Sequence, residues 1–263
     1  MAYHFPFGQE VRPVVQQDRT PKKVFVLGVY ASAVHARWKG RDGREICKAL
    51  AVASEPRIFW DGNEEEARKI ISKIKIPKEL GTLEPAEDRF SGPSAKALDD
   101  HILKPWGYTR DEAWLCDLLP ETRLNPRQLK AVDRYNNFIE ENGQNELNKA
   151  DIPECPNIFC DQIRCEEILE ELRESQAELL VLLGDEPIRQ FLRKVADVDF
   201  KKLQEYVDKY GYGNSVKVDI DNRTIEVIPF THPRNIAKLG LYSPKWHNKH
   251  SEWEESQKNK NKY

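Results

Sequence analysis

The stretch Val24-Phe-Val-Leu-Gly-Val-Tyr30 carries no charged residue and has the length of one buried strand. Three similar stretches follow it along the chain: Ala113-Trp-Leu-Cys-Asp117, Leu179-Leu-Val-Leu-Leu-Gly184 and Val227-Ile-Pro-Phe-Thr-His-Pro233. The segments between them are long enough for helices, so this order predicts parallel strands with a site at their carboxyl edge. We therefore expect an α/β protein of three layers, with a central, mainly parallel, four-stranded sheet between helices.

Length and composition limit the organisation of the chain. Its 263 residues, 39% of them hydrophobic, suffice for a single large domain, which we place at 24–257. We expect an N-terminal wrapping arm at 1–23 and a disordered tail rich in lysine and asparagine at 258–263. The 41 basic and 44 acidic residues leave a net charge of -3, so any contact with nucleic acid must come from a local patch.

The five cysteines bear on location and cofactors. Without a signal-peptide pattern or a long apolar segment, they predict a cytoplasmic protein that has no structural disulfide and no membrane role. Cys155, Cys160 and Cys165 recur at a spacing that fits neither zinc nor common iron–sulphur patterns, so we expect no metal and no cofactor. A cluster held by these three residues stays open as the alternative. Cys47 and Cys116 are predicted core residues, and we expect a monomer.

Weaker signals predict the remaining elements. We expect a polar loop at 35–44, a strand or short helix at 46–52 and a helix through 75 that is capped by Asn63. Asn125-Pro126 is typical of a helix start, and Asp221-Asn222 of the turn between two strands in 216–229. Further helices are predicted at 94–103, 165–176, 187–195 and 245–257.

Taken in order, the motifs resemble those of the uracil-DNA glycosylase superfamily over roughly 24–253. The matching pieces are the strand that runs into Gly-x-Tyr-x-Ser at 28–32, then Ser91-Gly-Pro-Ser94, Leu98-Asp99, Gly107-Tyr-Thr-Arg110, the strand with Asp117, Leu183-Gly184 and His232-Pro233. The middle block is most similar to the branch that often carries an iron–sulphur cluster, although Pro120 and Glu121 stand where that branch has a cysteine. The resemblance implies that 232–245 form the loop and helix that enter DNA.

Two departures from the family pattern concern the chemistry. Tyr30 stands where typical members have an acidic residue that activates water, and Asp117 stands where members that bind uracil have asparagine. An amide can both donate to and accept from uracil, whereas a carboxylate only accepts and therefore suits the exocyclic amine of cytosine. The second departure favours a cytosine-like base over plain uracil.

The resemblance implies a role for each motif residue. His232 hydrogen-bonds the departing base, with Tyr30 and Glu55 completing the catalytic set, although the residue that activates water stays open between Glu55, His35 and Asp42. Asp117 binds the amine edge of the base, in a pocket shaped by Gly28, Val29 and Ala31. The residues implied in DNA contact are Ser32, Ser94, Arg234, Asn235, Ser243 and Lys245, with Ile236 as the apolar wedge. The structural alternatives are that His232 merely precedes a proline in a loop and that Asp117 caps a helix or forms a salt bridge.

These expectations define a monofunctional DNA glycosylase that acts on single- or double-stranded DNA. It hydrolyses the N-glycosidic bond of a flipped, modified or damaged pyrimidine that is cytosine-like. A role in defence against modified viral DNA extends this hypothesis. Two alternatives stay open: a catalytically silent member that binds nucleic acid or a partner protein, suggested by the missing acid, and an ordinary uracil-DNA glycosylase with Asp117 protonated or turned away.

Overall fold

The computed structural model describes residues 2–144 and 147–260. Its strands are β1 Val24–Tyr30, β2 Ala33–Lys39, β3 Glu45–Ser54, β4 Thr82–Pro85, β5 Ala113–Leu119, β6 Leu179–Leu183, β7 Val216–Ile220 and β8 Arg223–Phe230. Its α-helices are α1 Glu64–Ile71, α2 Pro93–Leu98, α3 Pro126–Glu141, α4 Gln162–Ser175, α5 Asp185–Pro187, α6 Arg193–Val195, α7 Leu203–Tyr210, α8 Pro233–Ile236 and α9 Pro244–Lys260. Wider π-helical turns form Asp99–Leu103 and Ile188–Leu192, and single 3-10 turns form Pro6–Gly8, Lys78–Leu80, Asp88–Phe90, Lys104–Trp106 and Arg110–Glu112.

The chain forms two compact units, whereas one domain over 24–257 was expected. The first unit contains the described parts of 2–14, 31–93 and 120–157, and the second contains 15–30, 94–119 and 158–260. Each unit buries its own set of apolar side chains. Most of the first unit is inserted in the sequence between β1 and β5, and strand periodicity alone does not show which core a segment joins.

The second unit holds the sheet that the four apolar stretches predict. The strand order is β5-β1-β6-β8-β7, and the first four strands run parallel. The α/β class is confirmed, but the sheet has five strands rather than four, because β7 pairs antiparallel with β8. The two strands turn at Asp221 and Asn222, whose φ angles of 52° and 60° are those of a tight hairpin turn.

Helices flank this sheet. Side chains of α4, α7 and the segment 185–195 share one apolar core with alternate residues of β1, β5, β6 and β8. On the other face of β8, the Phe230 ring lies 5.4 Å from the Trp106 ring and 4.6 Å from the Trp253 ring of α9. Because both faces are covered, β1 and β6 are apolar along their whole length, whereas β8 is apolar only in its second half, from Val227 to Phe230.

The first unit contains a second, antiparallel sheet in the order β3-β2-β4, packed with α1 and α3. The prediction of a loop at 35–44 is therefore wrong as far as Lys39, while 46–52 belongs to β3. Residues distant in sequence stabilise β2: the Trp38 indole donates to the Leu80 carbonyl at 2.7 Å, and Arg37 and Lys39 both contact Glu84 of β4. Arg37 and Lys39, whose charges suggested a loop, thus lie on the partly exposed face of a strand.

The ends of the chain are ordered where the structure describes them. Phe5 and Phe7 of the predicted arm are buried in the core of the first unit, and the Gln16 amide oxygen accepts from the Leu115 backbone N–H at 3.2 Å in the second. Residues 258–260 of the tail expected to be disordered continue α9, where Lys258 pairs with Glu254 at 2.7 Å one turn earlier. Residues 261–263 lie outside the described residues.

Candidate active site

Four residues follow one another along the carboxyl edge of the parallel strands. Gly28 of β1 pairs in register with Asp117 of β5. On the other side of β1, Gly184 directly follows β6. Its N–H donates to the carbonyl of Phe230 at 2.9 Å, and Phe230 is the last residue of β8, two residues before His232. The edge therefore presents, strand by strand, a carboxylate, two glycines and an imidazole.

The strand order places this edge at the usual ligand position of an α/β sheet. From β1 the chain first moves to the neighbour β5 on one side and later to β6 on the other. Ligands of such sheets bind outside the carboxyl ends, where the connections diverge. Asp117 and His232 lie three strand spacings apart, about 14 Å between backbones, with the two glycines between them.

Asp117 carries a buried carboxylate that forms no ion pair with the residues that the structure describes. The residue is 4% exposed, and burial raises the pKa of its carboxyl to about 7, a shift that the Arg164 guanidinium opposes and Glu171 increases. Among the described residues, Arg164 Nη2 donates to the backbone carbonyl of Asp117 at 2.9 Å, and no hydrogen bond reaches the carboxylate oxygens. Since burying an unpaired carboxylate opposes folding, its presence at a sheet edge makes Asp117 a candidate functional residue.

A polar network behind β5 fixes the strand end that carries Asp117. Arg164 of α4 contacts Cys116 Sγ at 3.2 Å and Glu171 at 3.2 Å, and Glu171 in turn accepts from the Trp114 indole at 3.0 Å. Because Cys116 and Asp117 point to opposite faces of the strand, Arg164 orients the backbone while leaving the carboxylate on the other side. The sequence analysis did not identify Arg164, whose only sequence signal is a cation in the first turn of a helix, where the helix dipole disfavours it.

His232 is held as a neutral ring with a defined tautomer. Its Nδ1 accepts from the Arg234 backbone N–H at 3.1 Å, so His232 is the N-cap of the short helix α8. Burial and, to a smaller extent, the Arg234 guanidinium together lower the pKa of the imidazole to about 4, although the residue remains partly exposed. With Nδ1 accepting, the neutral ring carries its proton on Nε2 and can donate one hydrogen bond.

Gly184 cannot be replaced without strain. Its φ of 94° and ψ of -168° lie in a region that only glycine occupies readily, and an added Cβ would lie 3.3 Å from His232 Cβ. We expect Gly184→Ala to lower the free energy of unfolding by about 1–3 kcal/mol, measured by urea denaturation. The matched control is Gly107→Ala, since Gly107 also has a positive φ of 79° but open space around its Cβ position. An equal loss of unfolding free energy in the two variants would show that the contact with His232 Cβ contributes nothing to the cost of Gly184→Ala.

The structure distributes the other predicted pocket and catalytic residues over both units. Tyr30 lies at the end of β1, where its ring stacks on Phe159 at 5.8 Å with an interplanar angle of 8°, and Val29 is buried in the core of the second unit. Ala31, Ser32 and Glu55 belong to the first unit. There Ala31 and Glu55 are buried, and the Ser32 carbonyl accepts from the Thr122 hydroxyl at 2.7 Å.

The other two candidates for activating water also lie in the first unit. His35 is buried, and burial lowers the pKa of its imidazole to about 4. Its Nε2 lies 3.1 Å from the Gln128 amide nitrogen. Asp42 is exposed in the turn after β2, where it pairs with Arg44 at 3.3 Å. His35 is thus a neutral core residue and Asp42 an exposed one.

The loop after His232 differs from expectation in its apolar residue. Ile236, the expected wedge, is 6% exposed, while Leu241 is 86% exposed. Asn235 is also buried: its amide donates to the Thr231 hydroxyl at 2.8 Å and accepts from the Ser243 backbone N–H at 2.8 Å. Asn235 and Ile236 therefore lie on the inner side of the loop, where α8 turns them inward, and their contact with DNA stays a prediction. Arg234 and Lys245 are exposed, and Ser94 and Ser243 are partly exposed.

The cysteines form no metal site in the described part of the chain. No group of three or more histidine, cysteine, aspartate or glutamate side chains within 2–144 and 147–260 could hold a metal ion. Cys160 and Cys165 lie together in the core, with their sulphur atoms 2.9 Å apart, and Cys47 and Cys116 are buried as expected. Across these same residues, no helix is long and apolar enough to span a bilayer.

Comparison with models of known protein families and with curated proteins gives no match. What the site does chemically has to be inferred from its own residues. Those residues offer one buried hydrogen-bond acceptor, Asp117, one neutral donor, the His232 Nε2–H, and an edge of two glycines between them.

Proposed function

We propose that this protein is a divergent member of the uracil-DNA glycosylase superfamily and that it hydrolyses the N-glycosidic bond of a flipped, cytosine-like pyrimidine in DNA. The observation that carries the proposal is the buried Asp117 carboxylate on the same sheet edge as the neutral His232 imidazole, with Gly28 and Gly184 between them. Residues with the two chemical roles that the sequence motifs imply thus occupy one edge of the second unit.

The reaction needs stabilisation of the departing base. As the bond between the sugar C1′ and the base nitrogen breaks, the electron pair stays with the base and the sugar becomes a cation. The His232 Nε2–H donates a hydrogen bond to a base oxygen that gains negative charge. The imidazole is neutral at pH 7 and carries its one ring proton on Nε2, so this donor is in place before the bond breaks. Water then adds to C1′, and its proton passes to the base anion, so the products are an abasic site and the free neutral base.

Asp117 provides selectivity through its protonation state. The ionised carboxylate only accepts, so it binds the exocyclic amine of cytosine and repels uracil O4. The protonated carboxyl both donates and accepts, so it serves either base. Because the pKa is about 7, the two forms coexist near neutral pH, and this feature supports ordinary uracil excision as the second candidate.

Entry into DNA is assigned to the loop that follows α8. Apolar side chains that separate stacked bases must be exposed before binding, and Leu241 meets this condition where Ile236 does not. The exposed Arg234 and Lys245 flank Leu241 in sequence and supply charge for phosphate contact. We therefore transfer the proposed wedge role to Leu241.

A local basic segment in the first unit offers a further phosphate-binding surface. Residues 67–78 contain no acidic side chain, and Arg68, Lys69, Lys73, Lys75 and Lys78 are all exposed. We expect the joint replacement of Lys69, Lys73 and Lys75 by glutamine to weaken binding to undamaged DNA. The slope of log K against log salt should become shallower by about 0.9 for each phosphate that is no longer neutralised by a lysine. The measurement is fluorescence anisotropy between low and physiological salt.

The control for this prediction removes the same charge elsewhere. Lys201, Lys202 and Lys217 are exposed lysines of the second unit. Their joint replacement by glutamine should leave both affinity and slope close to wild type. Equal slopes in the two triple variants would exclude a specific role for the basic segment.

The proposed activity is tested by alkaline cleavage of labelled DNA. Single- and double-stranded oligonucleotides carry uracil, cytosine, 5-hydroxymethylcytosine or its glucosylated form, and alkali breaks the strand wherever an abasic site has formed. We expect cleavage at a cytosine derivative. Cleavage at the glucosylated base would extend the proposal to defence against modified viral DNA, whereas cleavage at uracil alone would overturn the proposed preference.

A catalytically silent binder is the remaining candidate. Tyr30, which cannot replace an acid as a base for water at neutral pH, supports it by its position at the end of β1 and its stacking on Phe159. This candidate predicts no cleavage of any of the oligonucleotides, together with retained DNA binding.

A further inference from the structure

A chain of hydrogen bonds runs through the second unit to the residue before His232. The Thr231 backbone N–H donates to the Tyr212 hydroxyl oxygen at 3.2 Å, and the Tyr212 hydroxyl lies 2.7 Å from His250 Nδ1. His250 Nε2 lies 2.9 Å from the carbonyl oxygen of His101. Thr231 and His250 are each 1% exposed, so these groups have little access to solvent that could replace a lost partner.

The chemistry of the four groups fixes the direction of every bond. A carbonyl oxygen can only accept, so His250 Nε2 must carry a proton and donate to His101. Burial lowers the pKa of the His250 imidazole to about 4, which leaves its Nδ1 without a proton at neutral pH. Nδ1 therefore accepts the Tyr212 proton, and the Tyr212 oxygen is left to accept from Thr231. Each donor and acceptor of the chain is used in a single arrangement.

The surroundings keep the Tyr212 ring in place. Its ring centroid lies 5.6 Å from that of Phe230, the last residue of β8, and 5.8 Å from that of His250 in α9. Burial raises the pKa of the Tyr212 hydroxyl, so the group keeps its proton. Thr231 is also bound from its other end, since its side-chain hydroxyl accepts from Asn235 at 2.8 Å. The backbone that carries His232 is thus fixed on both sides.

We propose that Tyr212 and His250 are positioning residues for His232: they hold the Thr231 backbone so that the His232 Nε2–H meets the departing base. This inference rests on the proposed function. Neither residue touches the base; both act through the end of β8. A displacement of a catalytic group by about 1 Å costs on the order of 100-fold in rate, so loss of the Tyr212 hydroxyl should be visible in kinetics.

The experiment compares two tyrosines that each lose one hydroxyl. In Tyr212→Phe the Thr231 N–H and His250 Nδ1 lose their partner. In Tyr206→Phe the lost hydroxyl donates to the Asn214 carbonyl at 2.5 Å and lies 3.4 Å from the Val227 carbonyl within β8, but it forms no hydrogen bond with Thr231 or His250 among the described residues. We expect kcat for abasic-site formation to fall about 10- to 100-fold in Tyr212→Phe, with KM within about twofold of wild type. Tyr206→Phe should retain the wild-type kcat. Equal kcat values in the two variants would overturn the inference.

Two variants of His250 guard against a purely structural effect. Asparagine at this position offers an oxygen near the place of Nδ1 and can still accept from Tyr212, whereas leucine cannot. His250→Asn should therefore retain most of kcat, and His250→Leu should behave as Tyr212→Phe does. The same loss in both His250 variants, at equal stability, would contradict a role that passes through the Tyr212 hydroxyl.

A readout independent of catalysis separates this inference from the proposed function. Imidazole 15N resonances of His232 at pH 7, assigned with His232→Ser, report which ring nitrogen carries the proton. We expect one Nε2-protonated form in wild type and Tyr206→Phe, and a shifted or second form in Tyr212→Phe. If wild type forms no abasic site in any DNA, the proposed function fails, while unchanged His232 resonances in Tyr212→Phe would still overturn the positioning role.

Discussion

Replacing His232 by alanine is expected to lower the rate of abasic-site formation by about two to three orders of magnitude, the usual effect of removing one donor to a developing negative charge. The variant loses the Nε2–H and also the cap on the Arg234 backbone N–H. Because Asp117 and the rest of the sheet edge are untouched, binding to DNA that carries the target base should change far less than kcat. The measurement is single-turnover alkaline cleavage with enzyme in excess.

A second His232 variant separates catalysis from capping. Serine caps helices well, so His232→Ser should keep the helix α8 in place and be about 1 kcal/mol more stable than His232→Ala. Both variants should be equally inactive, since neither has a donor at the position of Nε2. His4→Ala, which alters a histidine of the first unit, serves as the control and should retain full activity. Recovery of activity in His232→Ser would reduce His232 to a structural cap.

Replacing Asp117 by asparagine is expected to change which base is excised and how the preference depends on pH. In wild type, the ratio of activity on a cytosine derivative to activity on uracil should rise as the pH passes through about 7, because ionised Asp117 only accepts. Asparagine both donates and accepts at every pH. Asp117→Asn should therefore favour uracil and lose the pH dependence of the ratio, as measured on paired oligonucleotides between pH 5.5 and 8.5.

The same variant is expected to be more stable than wild type at alkaline pH. The pKa of Asp117 is raised from 3.8 to about 7 in the folded protein, so the folded state binds the proton more tightly than the unfolded state. Proton binding by Asp117 makes its full contribution to the free energy of unfolding below about pH 4. This contribution falls by up to ~4 kcal/mol as the pH rises to about 7. Asparagine does not titrate, so the free energy of unfolding of Asp117→Asn does not fall in this way. The difference in stability in favour of the variant should therefore appear only above pH 4 and reach a constant value above pH 7.

Asp161→Asn is the control for both measurements. Asp161 is exposed and caps α4 through the Arg164 backbone N–H, a task that asparagine performs equally well. Its stability profile and base preference should match those of wild type. If Asp117→Asn is instead less stable than wild type at pH 8, the carboxylate has a stabilising partner and the argument for a functional site loses its basis.

The central sheet could be predicted because its signals are local. Each parallel strand contains an apolar run of at least four residues that is buried on both faces. The β7–β8 hairpin is marked by Asp221-Asn222, two residues that tolerate a positive φ. The start of α3 was equally visible, because the Asn125 side chain accepts from two backbone N–H groups of the first turn. These elements depend on neighbours in sequence.

The second sheet could not be predicted in the same way. The strand β2 contains Arg37 and Lys39, which suggest a loop until Glu84, more than forty residues further along the chain, neutralises both. Likewise Trp38 is buried among the distant rings of Phe7, Tyr135 and Phe138, and its indole donates to the Leu80 carbonyl. The strands of the first unit thus depend on contacts between residues that are too far apart in sequence for a local pattern to show.

For the candidate site, the sequence by itself determined which residue types lie at or near the ends of the parallel strands. These are an aspartate two residues before the end of β5, a glycine directly after β6 and a histidine two residues after β8. The tertiary structure alone decided their chemical state. Burial raises the pKa of Asp117 to about 7 and lowers that of His232 to about 4, and α8 turns Ile236 inward while Leu241 stays exposed. The physical reason is that strand order follows from local apolar patterning, whereas desolvation, tautomer and exposure depend on all the elements that pack around a side chain.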